Sequence, residues 1–108
     1  MDIQVESHRD RRIIRVKGNI TFENCPLFQS RLDSVLDNEV RELAIDFRDV
    51  SFIDSSGIGE VLRLFRRMKD CGGELVLMNP NRKLQGLFLM YRFDKFMKIR
   101  QEAESEKE

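Results

Sequence analysis

The residues in this sequence best suited to chemistry are the run Asp-Ser-Ser-Gly at positions 54–57, between an apolar run and a helix-like one. A carboxylate beside two hydroxyl groups could belong to a nucleophile, an anion-binding loop or a helix cap. Capping explains one Asp or Ser, because its side-chain oxygen accepts hydrogen bonds from the free N–H groups of the first helical turn. It does not explain Gly57 and Gly59, since a helical glycine costs about 1 kcal/mol relative to alanine.

Two kinds of catalytic or nucleotide site fit this segment poorly. The sequence "DSSGIGE" has neither the Gly-Lys-Ser/Thr ending of a nucleotide loop nor the Gly-x-Ser-x-Gly of a nucleophile elbow. The single histidine, His8, lies in "SHRDRR", a polar stretch that predicts a solvated hairpin turn rather than a catalytic base. No Cys/His cluster has the spacing of metal ligands. We therefore expect a protein that is not an enzyme and holds no metal or cofactor.

The composition indicates one globular domain. The 108 residues are 41% hydrophobic and 35% charged, enough apolar surface for a single core. Nineteen basic residues balance nineteen acidic ones, so charge gives no reason to expect a nucleic-acid or membrane partner. Cys25 and Cys71 are expected to be free, at least half-buried thiols. With no apolar run near the roughly 20 residues of a membrane span and no apolar leader, a cytoplasmic protein is expected.

Hydrophobic periodicity predicts the elements that position the 54–57 segment. Alternating apolar residues at 3–7 and 12–18 indicate an antiparallel hairpin. Steps of three and four residues predict a first helix over 24–37, and the apolar run 42–47 predicts a buried strand. A second helix runs from Ser55 to Cys71, a strand occupies 74–78, and Asn79 with Pro80 would cap and begin a third helix. Residues 95–99 would add a short final element.

The resulting order is β-β-α-β-α-β-α, a small single α/β domain. Strands that alternate with helices predict parallel pairing, here extended by one antiparallel hairpin into a mixed sheet of four to five strands with helices packed on it. We expect this domain to span residues 1–99 and the charged segment 100–108 to be a frayed tail.

The second helix is predicted to be amphipathic. Its apolar stripe comprises Ile58, Val61, Leu62, Phe65 and Met68. Leu64 lies at the edge of that stripe and could be either a core residue or an exposed anchor, with the core favoured. The charged residues fall mostly on the other side, where a solvated face is favoured over a patch for an acidic partner: Glu60, Arg63, Arg66, Arg67 and Asp70.

Together these features resemble a STAS domain of the anti-sigma factor antagonist type, and the resemblance covers nearly the whole chain. Its most specific part is "DVSFIDSSGIG", followed after one helix by "GGELVL" and then by "FDKFMKI". The resemblance implies a phosphorylation switch. An anti-sigma factor that is also a serine kinase, with the ATP-binding histidine-kinase-like fold, would bind the unphosphorylated chain and phosphorylate Ser55. A metal-dependent serine phosphatase would reverse the modification.

The resemblance also implies which residues contact the partner. Family members often carry an aspartate shortly after the glycine that closes the hairpin, but here Gly18 is followed by Asn19, Ile20 and Thr21. Thr21 takes the place of that aspartate, so the partner surface is expected to differ. For the switch, the expected partner contacts are Thr21, Asp54, Ser56, Gly57, Ile58 and Leu64.

A second interpretation is an accessory or scaffold STAS subunit of a lipid-transport ATPase or stressosome-like complex, in which the serine would often be replaced.

Overall fold

The computed structural model describes residues 1–102, which form one sheet covered by helices. The strands are β1 (Asp2–His8), β2 (Arg11–Lys17), β3 (Glu42–Asp49), β4 (Glu74–Met78) and β5 (Lys98–Arg100). The helices are α1 (Cys25–Val35), α2 (Ser55–Asp70) and α3 (Arg82–Met90), and a short 3-10 helix spans Phe93–Lys95. The predicted order is confirmed, and the final segment contributes both the 3-10 helix and a fifth strand.

The sheet is mixed, as the sequence predicts. Its strand order is β1-β2-β3-β4-β5, with β1 and β2 antiparallel and the other neighbouring pairs parallel. Crossing helices connect the parallel strands, because a parallel pair cannot be joined by a tight turn. The carboxyl end of β3 therefore leads through residues 50–54 into α2, which places the Asp-Ser-Ser-Gly run at one end of the sheet.

The main core lies between one face of the sheet and the helices. Alternate strand residues such as Ile14, Ile45 and Leu77 form one cluster with Phe28 of α1 and Phe88 of α3. On the opposite face a smaller apolar cluster comprises Ile13, Ala44, Val76 and Met78. Charged pairs such as Arg11–Glu42 and Arg15–Glu6 lie on that same face of the strands.

The buried face of α2 differs in detail from the prediction. Leu64 is 0% exposed and belongs to the core, whereas Leu62 is 38% exposed. The core interpretation of Leu64 is confirmed, and the alternative that it is an exposed anchor is wrong. Glu60, expected on the charged face, is only 8% exposed, because its carboxylate turns to the Arg63 guanidinium at 2.8 Å.

The sequence predicts that Asn79 caps α3, whereas the cap lies two residues later. Its cap is Asn81, whose Oδ1 accepts from the Leu84 N–H at 2.8 Å, and Pro80 precedes the helix. Asn79 instead takes a left-handed backbone with φ of 57° and lies buried against the last strand, where its N–H donates to the Arg100 carbonyl at 2.7 Å. A sequence with asparagine on both sides of Pro80 offers two caps, and this tertiary contact selects between them.

His8 and the two cysteines all retain some exposure to solvent. His8 is exposed at the end of β1, beside the hairpin turn at residues 9 and 10. Cys25 and Cys71 are free and half-buried, as predicted.

Strand β5 continues to Arg100, and the Glu102 N–H donates to Asn79 Oδ1 at 2.7 Å. The boundary at residue 99 stays a prediction, and residues 103–108 of the expected frayed tail lie outside the described residues.

Candidate functional site

The carboxylate of Asp54 organises the start of α2. Its Oδ1 atom accepts hydrogen bonds from the backbone N–H groups of Ser56 at 2.9 Å and Gly57 at 3.2 Å. The capping interpretation of this segment is therefore confirmed, with Asp54 rather than Ser55 as the cap. Capping uses only one of the two carboxylate oxygens, which leaves the other available for a second element.

The second oxygen of Asp54 binds the loop that follows β2. The Phe22 N–H donates to Asp54 Oδ2 at 3.0 Å, across 32 positions of sequence. Hydrogen bonds to the ionised carboxylate stabilise its charged form, so the pKa of Asp54 is lowered, first by the Phe22 N–H and then by those of Gly57 and Ser56. One side chain thus connects the first turn of α2 to the loop that leads into α1.

Further bonds join the same two loops. Ile20 pairs with Ile53 in an isolated parallel bridge, and the Asp54 N–H donates to the Ile20 carbonyl at 3.2 Å. Asn19 adds a side-chain link, because its Oδ1 accepts from Ser51 Oγ at 2.8 Å and from the Phe52 N–H at 3.1 Å. Residues 18–24 and 50–54 therefore form one hydrogen-bonded unit, which we name the two-loop platform.

Ser55 stands at the edge of this platform. It is the first residue of α2 and is exposed, and its hydroxyl makes no hydrogen bond to any other residue in the range 1–102. Ser56, the next residue, is half-buried. Of the two hydroxyl groups, that of Ser55 is the more accessible to a modifying enzyme.

Thr21 lies on the same platform, one residue before Phe22. It is half-buried, and its carbonyl oxygen accepts from the N–H groups of Asn24 at 2.9 Å and Cys25 at 2.8 Å, which starts the turn into α1. The structure therefore brings Thr21 to the side of the molecule that carries Ser55, although the two residues are 34 positions apart in sequence.

Three of the expected partner contacts are buried and present little or no surface to a partner. Gly57 and Ile58 are buried in the first turn of α2, and Leu64 is buried one and a half turns further on. A Cβ atom on Gly57 would lie 2.7 Å from the Ile20 carbonyl oxygen and would also collide with Ile53. The steric reason for glycine at position 57 is therefore the close approach of the platform.

Gly59 behaves differently from Gly57. It is exposed, and a Cβ atom built there meets no atom within 4 Å. Nothing in the described fold requires glycine at this position, so its lack of a side chain leaves the surface beside Ser55 low.

Two exposed phenylalanines on the platform were missed by sequence reasoning. Phe22 is 76% exposed and Phe52 is 43% exposed, although burying such a side chain would stabilise the fold by about 1.5–3 kcal/mol. No sequence signal separates them from their apolar neighbours, since Phe22 follows the buried Ile20 by two residues and Phe52 directly precedes the buried Ile53. Exposed aromatic side chains beside a polar site are typical of protein interfaces.

The charged face of α2 mainly holds α1 in place. Arg63 lies 3.0 Å from Asp33 as well as bonding Glu60, and Arg67 lies 2.9 Å from the same Asp33 carboxylate. The hydrogen bond to Glu60 is the main reason that the pKa of Arg63 is raised. Two of the three arginines predicted as a solvated face therefore bridge helices.

The described part of the chain contains neither a cluster of metal ligands nor a membrane-spanning helix. Across residues 1–102, no group of three or more His, Cys, Asp or Glu side chains is arranged to hold a metal ion. No helix in that range has the length and hydropathy needed to cross a bilayer.

The chain is similar to known proteins in both sequence and fold. A family model described as the STAS domain matches residues 2–106. The anti-sigma F factor antagonist of Paenibacillus polymyxa is 24% identical over 100 residues, which cover 92% of this chain and 86% of the relative. The structure of the anti-sigma factor antagonist SpoIIAA in its unphosphorylated form aligns with a TM-score of 0.75 at 24% identity, covering 98% of this chain and 93% of that one.

A second solved structure has the same fold. That of the Bacillus cell fate determinant SpoIIAA in the phosphorylated form aligns with a TM-score of 0.77 at 23% identity, covering 98% of this chain and 96% of that one. The expected fold, a small mixed-sheet α/β domain with helices packed on it, is thus shared with these proteins.

The contrast between the two glycines of the first α2 turn predicts opposite effects of alanine. Gly57→Ala should lower the free energy of unfolding by about 1–3 kcal/mol, because its methyl group is forced against Ile20 and Ile53. Gly59→Ala should raise it by up to about 1 kcal/mol, since the helix gains a better former at no steric cost. Urea denaturation of both variants measures the difference; equal effects would contradict the close packing of Gly57.

The bonds of Asp54 predict a pH-dependent contribution to stability. Asp54→Asn keeps a capping oxygen but replaces Oδ2, so the Phe22 N–H loses its acceptor and the variant should be less stable at neutral pH. Because the pKa of Asp54 is lowered in the folded state, its stabilising effect is present above its unfolded pKa of about 4. That effect is lost as pH falls through the folded pKa.

Thermal melting from pH 7 to 2.5 should therefore show the difference in melting temperature between Asp54→Asn and wild type narrowing below about pH 4. The exposed Asp70→Asn serves as the control, and a difference independent of pH would contradict the assignment.

Proposed function

The chain belongs to the STAS domain family, and on that premise we propose that it is an anti-sigma factor antagonist that works by partner switching. Unphosphorylated, it binds an anti-sigma factor that is also a serine kinase with the ATP-binding histidine-kinase-like fold. Phosphorylation on Ser55 releases it, and a metal-dependent serine phosphatase restores it. The chain acts in the cytoplasm as a substrate and ligand of these enzymes, and it is not an enzyme itself.

The observation that carries the proposal is the exposed Ser55 at the start of α2 with its hydroxyl unbonded within residues 1–102. A kinase needs a hydroxyl that it can approach without unfolding its substrate. The two-loop platform supplies that condition, because Asp54 binds the backbone around Ser55 and leaves the Ser55 side chain free.

The relatives support the same proposal. The Paenibacillus polymyxa protein is named for antagonism of the anti-sigma F factor. SpoIIAA is described in an unphosphorylated and a phosphorylated form, and this chain aligns with each at a TM-score of 0.75 or above. A fold of this kind is therefore compatible with phosphorylation.

A phosphate on Ser55 would change the surface more than the fold. It adds about 1.5–2 negative charges, which gain about 0.3–1 kcal/mol from the dipole at a helix N-terminus. The Ser56 and Gly57 N–H groups already bind Asp54, so the phosphate would remain beside a like charge. Solvent screens the repulsion between the two charges while they are exposed. When a partner buries them, the repulsion adds to the cost of desolvation. The modification should thus weaken binding without unfolding the domain.

The contact surface proposed here differs from the one expected from sequence. Thr21, Asp54 and Ser56 remain, although the Asp54 carboxylate is occupied by three backbone N–H groups and serves mainly to position its neighbours. Phe22 and Phe52 join the surface because they are exposed apolar side chains on the same platform. Gly57, Ile58 and Leu64 leave it because they are buried.

Phosphate transfer provides the direct test of the acceptor. The purified chain, incubated with Mg-ATP and the anti-sigma kinase of its source organism, should acquire one phosphate that mass spectrometry places on Ser55. Ser55→Ala should abolish the transfer, whereas the neighbouring Ser56→Ala should still be modified and serves as the matched control.

Two outcomes would count against this proposal. Phosphate found on Ser56 would overturn the assignment of the acceptor, and no transfer by any such kinase would overturn the switch. Affinity capture of a transporter ATPase or a large self-assembly instead of a kinase would favour an accessory or scaffold subunit.

A further inference from the structure

A groove lies between the two-loop platform and α3, next to the proposed contact surface. It has a volume of about 240 Å³, and its lining includes Phe52 and Ile53 from the platform and Gly86, Leu87 and Met90 from α3. Met90 is 69% exposed and Phe52 is 43% exposed, so the groove presents apolar side chains to solvent. We name this feature the α3 groove.

The glycine in the middle of α3 is not explained by the fold. Gly86 lies inside the helix Arg82–Met90, where glycine is less favourable than any other residue except proline. A Cβ atom on Gly86 would meet no atom within 4 Å, whereas one on Gly73 would lie 2.7 Å from Met68 and one on Gly57 would strike the platform. The described residues do not need Gly86 to be small, and its effect is to keep the α3 groove open.

One cation marks the rim of the α3 groove. Lys83 lines it, and its Nζ atom lies 5.9 Å from the centroid of the Phe52 ring. Within residues 1–102 Lys83 forms no salt bridge, so its charge is available to an acidic group that approaches the groove.

The α3 groove shares Phe52 with the proposed contact surface. Phe52 and Ile53 line it and lead directly into Asp54, the cap of α2. A partner that covers Ser55 would therefore extend over the groove with few further residues. Interfaces concentrate their binding energy in such apolar pockets, where a side chain of one partner is fully desolvated by the other.

We propose that the α3 groove receives an apolar side chain of the partner kinase, flanked by an acidic residue that pairs with Lys83. This inference rests on the proposed function and adds an anchor to it. The anchor holds the kinase beside the platform while Ser55 is unmodified, so it contributes to complex formation and to the KM of phosphorylation rather than to kcat.

Filling the α3 groove from within the chain tests the proposal. Gly86→Leu places a side chain where the partner's would lie, and since leucine is a much better helix former the variant should melt no lower than wild type. The kinase should bind it at least 10-fold more weakly by isothermal titration calorimetry, with a similar rise in KM for Ser55 phosphorylation and little change in kcat. Gly86→Ala adds only a methyl group and should cost less than about 3-fold, a smaller loss than a fully blocked pocket.

Two further variants separate the groove from general surface effects. Ser34→Leu adds the same side chain at an exposed position of α1 and should bind the kinase like wild type. Lys83→Glu reverses the charge at the rim and should weaken binding several-fold, more strongly at low than at high salt.

The outcomes distinguish this inference from the function on which it rests. If wild type is bound and phosphorylated and Gly86→Leu behaves identically, the groove is not the anchor, although the switch stands. If wild type is neither bound nor phosphorylated, both proposals fail. If sedimentation shows a wild-type dimer that Gly86→Leu dissociates while kinase binding is unchanged, the occupant is a second copy of the chain and the kinase anchor is overturned.

Discussion

The carboxylate of Asp54 is the interaction on which the candidate site depends. Its two oxygens receive three backbone N–H groups, two from the first turn of α2 and one from Phe22 in the loop after β2. The Ile20–Ile53 bridge, the bonds of Asn19 and the close approach of Gly57 to Ile20 also join the start of α2 to the loop before α1. Because the capping role falls to Asp54, the neighbouring Ser55 is left exposed and its hydroxyl unbonded within residues 1–102.

Some residues of the site are buried and position its backbone, whereas others expose their side chains to a partner. Gly57 and Ile58 are buried, and Gly57 lets α2 approach the platform closely, while Ser55, Phe22 and Phe52 are exposed. This arrangement suits a switch that acts by charge. The platform is stabilised by bonds that a phosphate on Ser55 does not replace, so the fold can persist while the surface becomes unsuitable for burial under a partner.

Much of this was predictable from local sequence patterns, and the failures share one cause. Alternation and helical periodicity predict the element order, the mixed sheet and the cap at residues 54–57. They place Leu62 within the apolar stripe of α2 and Leu64 at its edge, whereas the packing of α2 on the sheet buries Leu64 and leaves Leu62 38% exposed. Likewise the choice of Asn81 over Asn79 as a cap depends on a contact with β5. The exposure of Phe22 and Phe52 and the crowding at Gly57 arise where two loops distant in sequence meet.

A phosphate on Ser55 should block partner binding while the domain keeps its fold. Chain phosphorylated stoichiometrically on Ser55 should be compared with unmodified chain for affinity to the kinase, alongside amide NMR spectra of each. We expect the phosphorylated chain to bind about a thousandfold more weakly, equivalent to about 4 kcal/mol, with spectral changes confined to the two-loop platform and the first turn of α2. Equal affinity of the two forms, or spectral changes spread through the sheet, would contradict it.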